Sequence, residues 1–478
     1  MPVEQSTRSG GDVVPKIAAV VGFLVVVELT SGVIQGYFTP LYTDIARHLG
    51  IHDADVNWFE AAQLLVSAVT VPVLARLGDI VGHKRVLLLS SAITACAAWG
   101  VAFAPNFWLF LIAWALMGPY VVWLPLEIAL VHRRTKGDSS RTRTAAAVLV
   151  LALEVGVIAG ALTSGALQPV IGMTGLLAIP AVAITACFVV IWFGVPETPP
   201  TGSHRLDLPG AALLCGLLLA VMAGLMLVRF VGPGSPWPWL ALVVGAGLVV
   251  PFVRHEMRHP DPVIDVRLLR ERRQLSVQLA TGLFGFSVLG AQIPLSTFAR
   301  TDPDVTGYGL GASAGGVSML IGGYVLSMGL GAVTAPALAK RLGEFGALAV
   351  AACLVALGYG LNVVSHGSVV GLLVNMMIAG IGSGALVAAL PVAAAGAAPA
   401  SHTGQMTGLT NMAKTVGGAI ASSIFALCLA SAGQTEDVGD HAPLGGYLAV
   451  WAICSATAVG AALLLWRARR VSGGPEPQ

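Results

Sequence analysis

Among the ionisable side chains that stand inside long apolar runs are Glu28, Glu60, Glu154 and Lys414. A charge held within a lipid bilayer is costly, so each of them calls for a partner, a wet path or a proton to carry. Glu28 shares a helix face with Ser31 and Gln35, at i, i+3 and i+7, which makes a polar stripe. A carboxyl in so poorly hydrated a place can load and release a proton. The competing reading is an ion pair with Lys414 or a hydrogen bond to a neighbouring helix. Glu154 fits two roles equally, a second proton site or the buried partner of Lys414. Lys414 reads as structural, with a switching role open because buried lysines readily lose their proton. Glu60 forms a second stripe with Gln63 and Ser67, placed to line a gate or vestibule as readily as to touch a substrate. At about 1.5 Å per residue, Glu28, Glu154 and Lys414 fall near the middle of their runs and Glu60 near one end.

Two catalytic patterns are present and neither is persuasive. His255–His259 reads HEMRH, the zinc-protease spacing, in which two histidines one helical turn apart hold the metal and the glutamate activates water. It falls at the end of an apolar run, and no third ligand is evident from the sequence, so no metal is expected. Gly311–Gly315, GASAG, has the serine-hydrolase spacing without the strand–turn–helix setting which that chemistry requires. No phosphate-binding loop occurs, so an ATP-driven pump is unsupported; the chain is read as a non-enzyme without a cofactor, an intramembrane metalloprotease through HEMRH being the remote alternative. Cys96, Cys187, Cys215, Cys353, Cys428 and Cys454 are scattered through apolar runs as small packing residues.

The elements that must position these groups follow from composition. Hydrophobic residues make up 56% of the 478 and charged residues 10%, with a mean hydropathy of +0.82. Soluble domains are about a quarter charged, so this chain belongs in a bilayer. Runs long enough to cross it lie near 17–38, 56–76, 86–104, 108–131, 145–167, 174–194, 208–230, 238–253, 274–298, 312–339, 346–364, 369–396, 405–431 and 445–466. Fourteen spans put both termini on one side. Placing that side in the cytoplasm puts every Lys and Arg there except Arg47, Arg229, Arg300 and the intramembrane Lys414.

The chain also repeats itself. Val69–Asp79, VTVPVLARLGD, returns as Val333–Glu344, VTAPALAKRLGE, and Gly118 with Leu124–Pro125 returns as Gly384 with Leu390–Pro391. The repeat sets spans 1–6 against spans 9–14 and leaves spans 7 and 8 as an insertion. The expected organisation is an N-terminal six-helix bundle (1–199), a two-helix insertion with its linkers (200–273) and a C-terminal six-helix bundle (274–478).

The residues between spans 2 and 3, ARLGDIVGHKRVL from Ala75 to Leu87, resemble the loop motif of the major facilitator superfamily, with Asp79, Gly82, His83, Lys84 and Arg85 in register. Gly156–Gly165, GVIAGALTSG, is similar to the helix 5 motif of its exporters, in which Gly156, Gly160 and Gly165 are packing positions. Trp58, PETP at Pro196–Pro199, His259–Arg272 and NMAKTVGG at Asn411–Gly418 resemble the fourteen-helix drug:proton antiporter branch. The resemblance covers nearly the whole chain. It departs at Ala161, where the helix 5 motif has proline, and at Trp114, where helix 4 usually carries an arginine linked to proton coupling.

The resemblance implies an all-α integral membrane protein, with two six-helix bundles working by alternating access. It makes Asp79 a conformational contact with a helix end of the other half, and Glu127 is read as a latch to His83 or Arg85. It also places Glu28, Gln35, Trp114, Gln292 and Asn375 on cavity-lining helices. The expected activity is export of a hydrophobic or amphipathic small molecule against protons through Glu28, with Glu154 as a second candidate. The alternative is a symporter or an uncoupled facilitator. A monomer in a bacterial plasma membrane, with small molecules, protons and lipid as its only partners and no nucleic acid, completes the expectation.

Overall fold

The computed structural model describes residues 21–135, 139–196, 207–260, 262–264, 266–267, 269, 271–396, 403–431 and 441–472. Lys136, the PETP residues after Pro196, and Arg270 in the second linker lie outside the described residues. Fourteen helices are long and apolar enough to cross a membrane, and there is no strand among the described residues. They are α1 (Leu24–Tyr37), α2 (Asn57–Val81), α3 (His83–Phe103), α4 (Phe107–Arg134), α5 (Ser139–Leu167), α6 (Met173–Gly194), α7 (Leu208–Val231) and α8 (Pro236–Glu256). The last six are α9 (Arg272–Arg300), α10 (Ala314–Leu342), α11 (Glu344–Val364), α12 (Val369–Gly396), α13 (Thr403–Ser431) and α14 (Leu444–Ser472).

Two helices are broken where the sequence requires it. In α4 the pair Gly118–Pro119 opens a 3-10 turn, Gly118–Val122, because proline has no N–H to give the preceding turn. In α9 a π turn, Phe286–Gly290, widens the helix, and the side-chain amide of Gln292 donates to the Val288 carbonyl at 3.0 Å. Such turns leave backbone groups to be satisfied by side chains, and they recur at functional sites.

The helices sort into two cores. One gathers buried residues from Val21 to Val195, and the other gathers residues chiefly from Val277 to Ala468. Small residues let the backbones meet. A Cβ on Gly32 of α1 would overlap the Leu153 carbonyl of α5, and one on Gly417 of α13 would overlap the Gly282 carbonyl of α9. The repeated glycines behave alike: Gly118 of α4 lies on the Gln63 carbonyl of α2, and Gly384 of α12 on the Met328 carbonyl of α10. The internal repeat is thus visible as the same backbone contact made twice.

α7 and α8 pair with each other at the periphery. Only 22% and 17% of their apolar windows are buried, so most of their surface is left for lipid. They lean on the seam between the halves through Leu214, Leu218 and Phe252, which meet Leu64, Leu65 and Ala68 of α2 and Met412 and Ala419 of α13.

Candidate functional site

Glu28 and Glu127 are brought together. Both are fully buried, and their carboxyls face each other at hydrogen-bond range. No donor from the described residues reaches any of the four oxygens. Ionised carboxylates only accept, so the two groups can bond each other only when one of them carries a proton. Arg134, two turns further along α4, is the cation that acts on Glu127. The expected latch from Glu127 to His83 or Arg85 is therefore corrected: past the break at Gly118–Val122, α4 directs Glu127 into the bundle toward α1. Seven residues before the end of α4, Glu127 lies about 10 Å inside that end, and Glu28 lies level with it.

Glu154 and Lys414 face each other across the two halves, from α5 and α13, and each is the charge that acts on the other. Lys414 is thus within electrostatic reach of Glu154, and Glu28 is not among the charges that act on it. Glu60 lies near the phenols of Tyr42 and Tyr120. The rest of its stripe meets the same broken turn of α4. Gln63 and Ser67 are buried, and the Ser67 hydroxyl donates to the Gly118 carbonyl at 2.9 Å, fastening α2 to the broken turn of α4.

A narrow cavity, with about 20 Å³ of room for a water-sized sphere, lies between Thr39 of the first half and α9, α10, α11 and α12 of the second. Gln292 lines it, with Ser296, Leu320, Tyr324, Tyr359 and Met376. Its walls are mostly apolar with a few hydroxyl and amide groups, the usual make-up of a small-molecule site. Of the residues expected in a cavity, Gln292 alone lies on this one. Asn375 is buried, and its side-chain amide donates to the Ser365 carbonyl at 3.0 Å, closing the end of α11. Trp114 is 2% exposed and lies among Phe38, Tyr42, Phe59 and Phe110, with ring centroids 4.6 to 6.3 Å away. It fills the first bundle's core, and that cluster leaves it no open face for a substrate. Gln35 is exposed on α1 and is not part of the cavity lining.

The loop motif ends α2 and begins α3 through Gly82, whose φ of 105° is a conformation that side chains disfavour. Asp79 pairs with buried His83 at 3.4 Å, one turn on in its own half. Lys84 donates to the Trp192 carbonyl at 2.9 Å and so caps α6. Gly156 and Gly160 of α5 pack on α1, whereas Gly165 meets Ala314 and Ser318 of α10.

The two halves are joined by polar contacts at the face opposite this loop. Arg300 of α9 holds both carboxylate oxygens of Asp44, at 2.7 and 2.9 Å. His441 meets Asp53 at 3.1 Å, Ser296 donates to the Thr39 carbonyl, and Ser318 donates to the Ala161 carbonyl at 2.6 Å. Arg229 of α7 pairs with Asp55 at 3.0 Å. Two of the arginines that stood outside the charge asymmetry are thus neutralised in place. The structure is closed at this face. Asp44 and Asp53 were missed because nothing in the spacing of a lone aspartate beyond a span tells which cation it meets.

HEMRH acquires a third group. Asp207, just ahead of α7, lies against both histidines: 2.8 Å from Nε2 of His255 and 3.8 Å from Nδ1 of His259. A third group that is not evident from the sequence therefore stands beside the motif. The motif begins 48 positions after Asp207, and only the pairing of α7 and α8 brings them together.

A family model described as Major Facilitator Superfamily matches residues 24–211 and 275–478. The chain is 27% identical over 448 residues to the puromycin resistance protein of Streptomyces alboniger, covering 88% of this chain and 84% of that one. It is 24% identical over 328 residues to the lincomycin resistance protein of Streptomyces lincolnensis, covering 68% and 66%. The chain spans about half the length of the first curated relatives it matches. Among solved structures, the POT family transporter PepTSo superposes with a TM-score of 0.67 at 15% identity, covering 96% of this chain and 99% of that one. That likeness concerns the fold.

Proposed function

The chain belongs to the major facilitator superfamily, and from that premise we propose that it is a drug:proton antiporter of the fourteen-helix branch. It exports hydrophobic or amphipathic small molecules from a bacterial cytoplasm, with both termini and the loop motif on the cytoplasmic side. The observation that carries this reading is the buried pair Glu28–Glu127, which has no other hydrogen-bonding partner among the described residues. A pair of acceptors set in apolar surroundings is stable with a proton between them and strained without it. Proton loading and release is therefore tied to how the helices around the pair are arranged, which is what coupling requires.

The substrate enters the cavity at Gln292, Tyr324 and Tyr359, where apolar walls supply affinity and the amide and phenols supply orientation. Two relatives bear the names of antibiotic resistance proteins, which supports export of drug-like molecules. Glu154 and Lys414 act as a charge pair between the halves, whose separation accompanies the change of access. The loop motif and the Asp44–Arg300 clasp hold alternate states of the same movement. A second reading, symport of a nucleoside, is favoured by a Lactococcus lactis relative named as a uridine/deoxyuridine transporter, 22% identical over 319 residues.

Purified protein in proteoliposomes, offered lipophilic cations, neutral antibiotics and nucleosides, tests these readings. Protons moving opposite to a drug support antiport. Protons moving with a nucleoside replace it by the second reading.

A further inference from the structure

We propose that Asp207, His255 and His259 form a binding site for one divalent transition-metal ion, with zinc the best match to the donor set. One ligand atom from each of the three lies within 4.8 Å of the others, at the junction of the start of α7 and the end of α8. Two imidazoles and a carboxylate, with one position left for water or a further oxygen, are a recurrent zinc set. Zinc holds such donors at about 2.0–2.2 Å, which places them roughly 3.3–3.6 Å apart. The histidine contacts seen here, 2.8 Å to Oδ1 and 3.8 Å to Oδ2 of Asp207, fall on either side of that spacing.

A second observation points to a cation independently of the histidines. Oδ2 of Asp207 and Oε1 of Glu256 are both buried without a hydrogen-bond partner, on side chains 1% and 0% exposed. They converge over Gly210, where a Cβ would overlap both oxygens. Two carboxylates turned toward one another in a closed space are stabilised by positive charge between or beside them. Their other oxygens are held in place: Gly210 N–H donates to Oδ1 of Asp207 at 2.9 Å, and Ile264 N–H donates to Oε2 of Glu256 at 2.8 Å. Fixed outer contacts of this kind orient metal ligands.

The HEMRH glutamate is not available for protease chemistry. A general base must reach a metal-bound water, whereas Glu256 is fully buried and tied to the backbone of the linker. The site binds, and its effect is mechanical. A metal would clasp the first turn of α7 to the last turn of α8. The linker after α8 is in turn held to the end of α2 by Arg76, which donates to the Pro262 carbonyl at 2.8 Å.

The test uses the full chain in nanodiscs, stripped by chelator and titrated with Zn²⁺ alone, with Co²⁺ as the spectroscopic probe. One zinc per chain, the intense visible bands of four-coordinate cobalt, and a raised Tm in zinc are expected. His259→Gln should weaken zinc binding by about tenfold or more, and Asp207→Asn should abolish the cobalt bands. His259 is outside the shortest bond of the cluster, so its variant reports on the metal even if Asp207→Asn does not fold. Substoichiometric zinc in the wild type, or unchanged zinc affinity in His259→Gln, would overturn the proposal and leave Asp207–His255 as a helix cap.

Discussion

The carboxyl of Glu28 on α1 rests against the carboxyl of Glu127 on α4, and no other hydrogen-bonding group among the described residues touches either. Everything proposed about coupling turns on this contact. A lone buried carboxyl is adequately explained by a packing accident or a local hydrogen bond. Two of them, from helices in the same bundle and set at one depth, form a unit that holds a proton in one arrangement and must lose it or rearrange in another.

Removing Arg300 should open the closed face. Asp44 and Arg300 are each 11% exposed, and breaking a partly buried pair strands the remaining charge. Arg300→Ala is expected to destabilise this state by about 3 kcal/mol, the low end for a buried pair. Distance distributions between spin labels on the two halves should shift toward separation at that face. An unchanged distribution would show that the pair carries no conformational energy.

Gln292→Ala should act on substrate binding. The amide lines the cavity and also satisfies the Val288 carbonyl in the π turn. Losing that hydrogen bond costs about 1 kcal/mol of stability. Kd for a transported drug should rise, with the proton stoichiometry unchanged. Wild-type affinity in the variant would place the substrate elsewhere.

The glycine contacts make opposite predictions at two sites. Gly156 lies on the Leu29 carbonyl of α1, so Gly156→Val should force the helices apart at a cost of about 2 kcal/mol or more. Gly322 of α10 has open space where a Cβ would go, so Gly322→Ala should be neutral or stabilising by about 0.5 kcal/mol. Thermal unfolding in detergent separates the two. Equal Tm values would contradict the packing described.

Much of this was legible in the sequence. Span length and the lack of charge located fourteen helices, because a bilayer demands both, although α5 begins at Ser139 and α14 runs on to Ser472, beyond the expected 145 and 466. The repeated Gly118 and Gly384 marked real backbone contacts, since only glycine allows that approach. Partners were less legible. Glu127 was read toward the loop because it lies close to the loop end of its span, and depth along a helix does not tell which face a side chain takes. Asn375 and Trp114 lie on the expected helices but on faces turned into their own bundle, and a weak apolar periodicity does not reveal which face that is. Asp207 joins His255 only through the pairing of α7 with α8.

The most direct test of the central claim is substrate-triggered proton movement in proteoliposomes, compared among wild type, Glu28→Gln, Glu127→Gln and the double variant. The account predicts that each single variant loses coupled proton movement while still binding drug, and that the double variant is no worse than either. Full proton movement in both single variants would contradict it and leave Glu28–Glu127 as a structural contact.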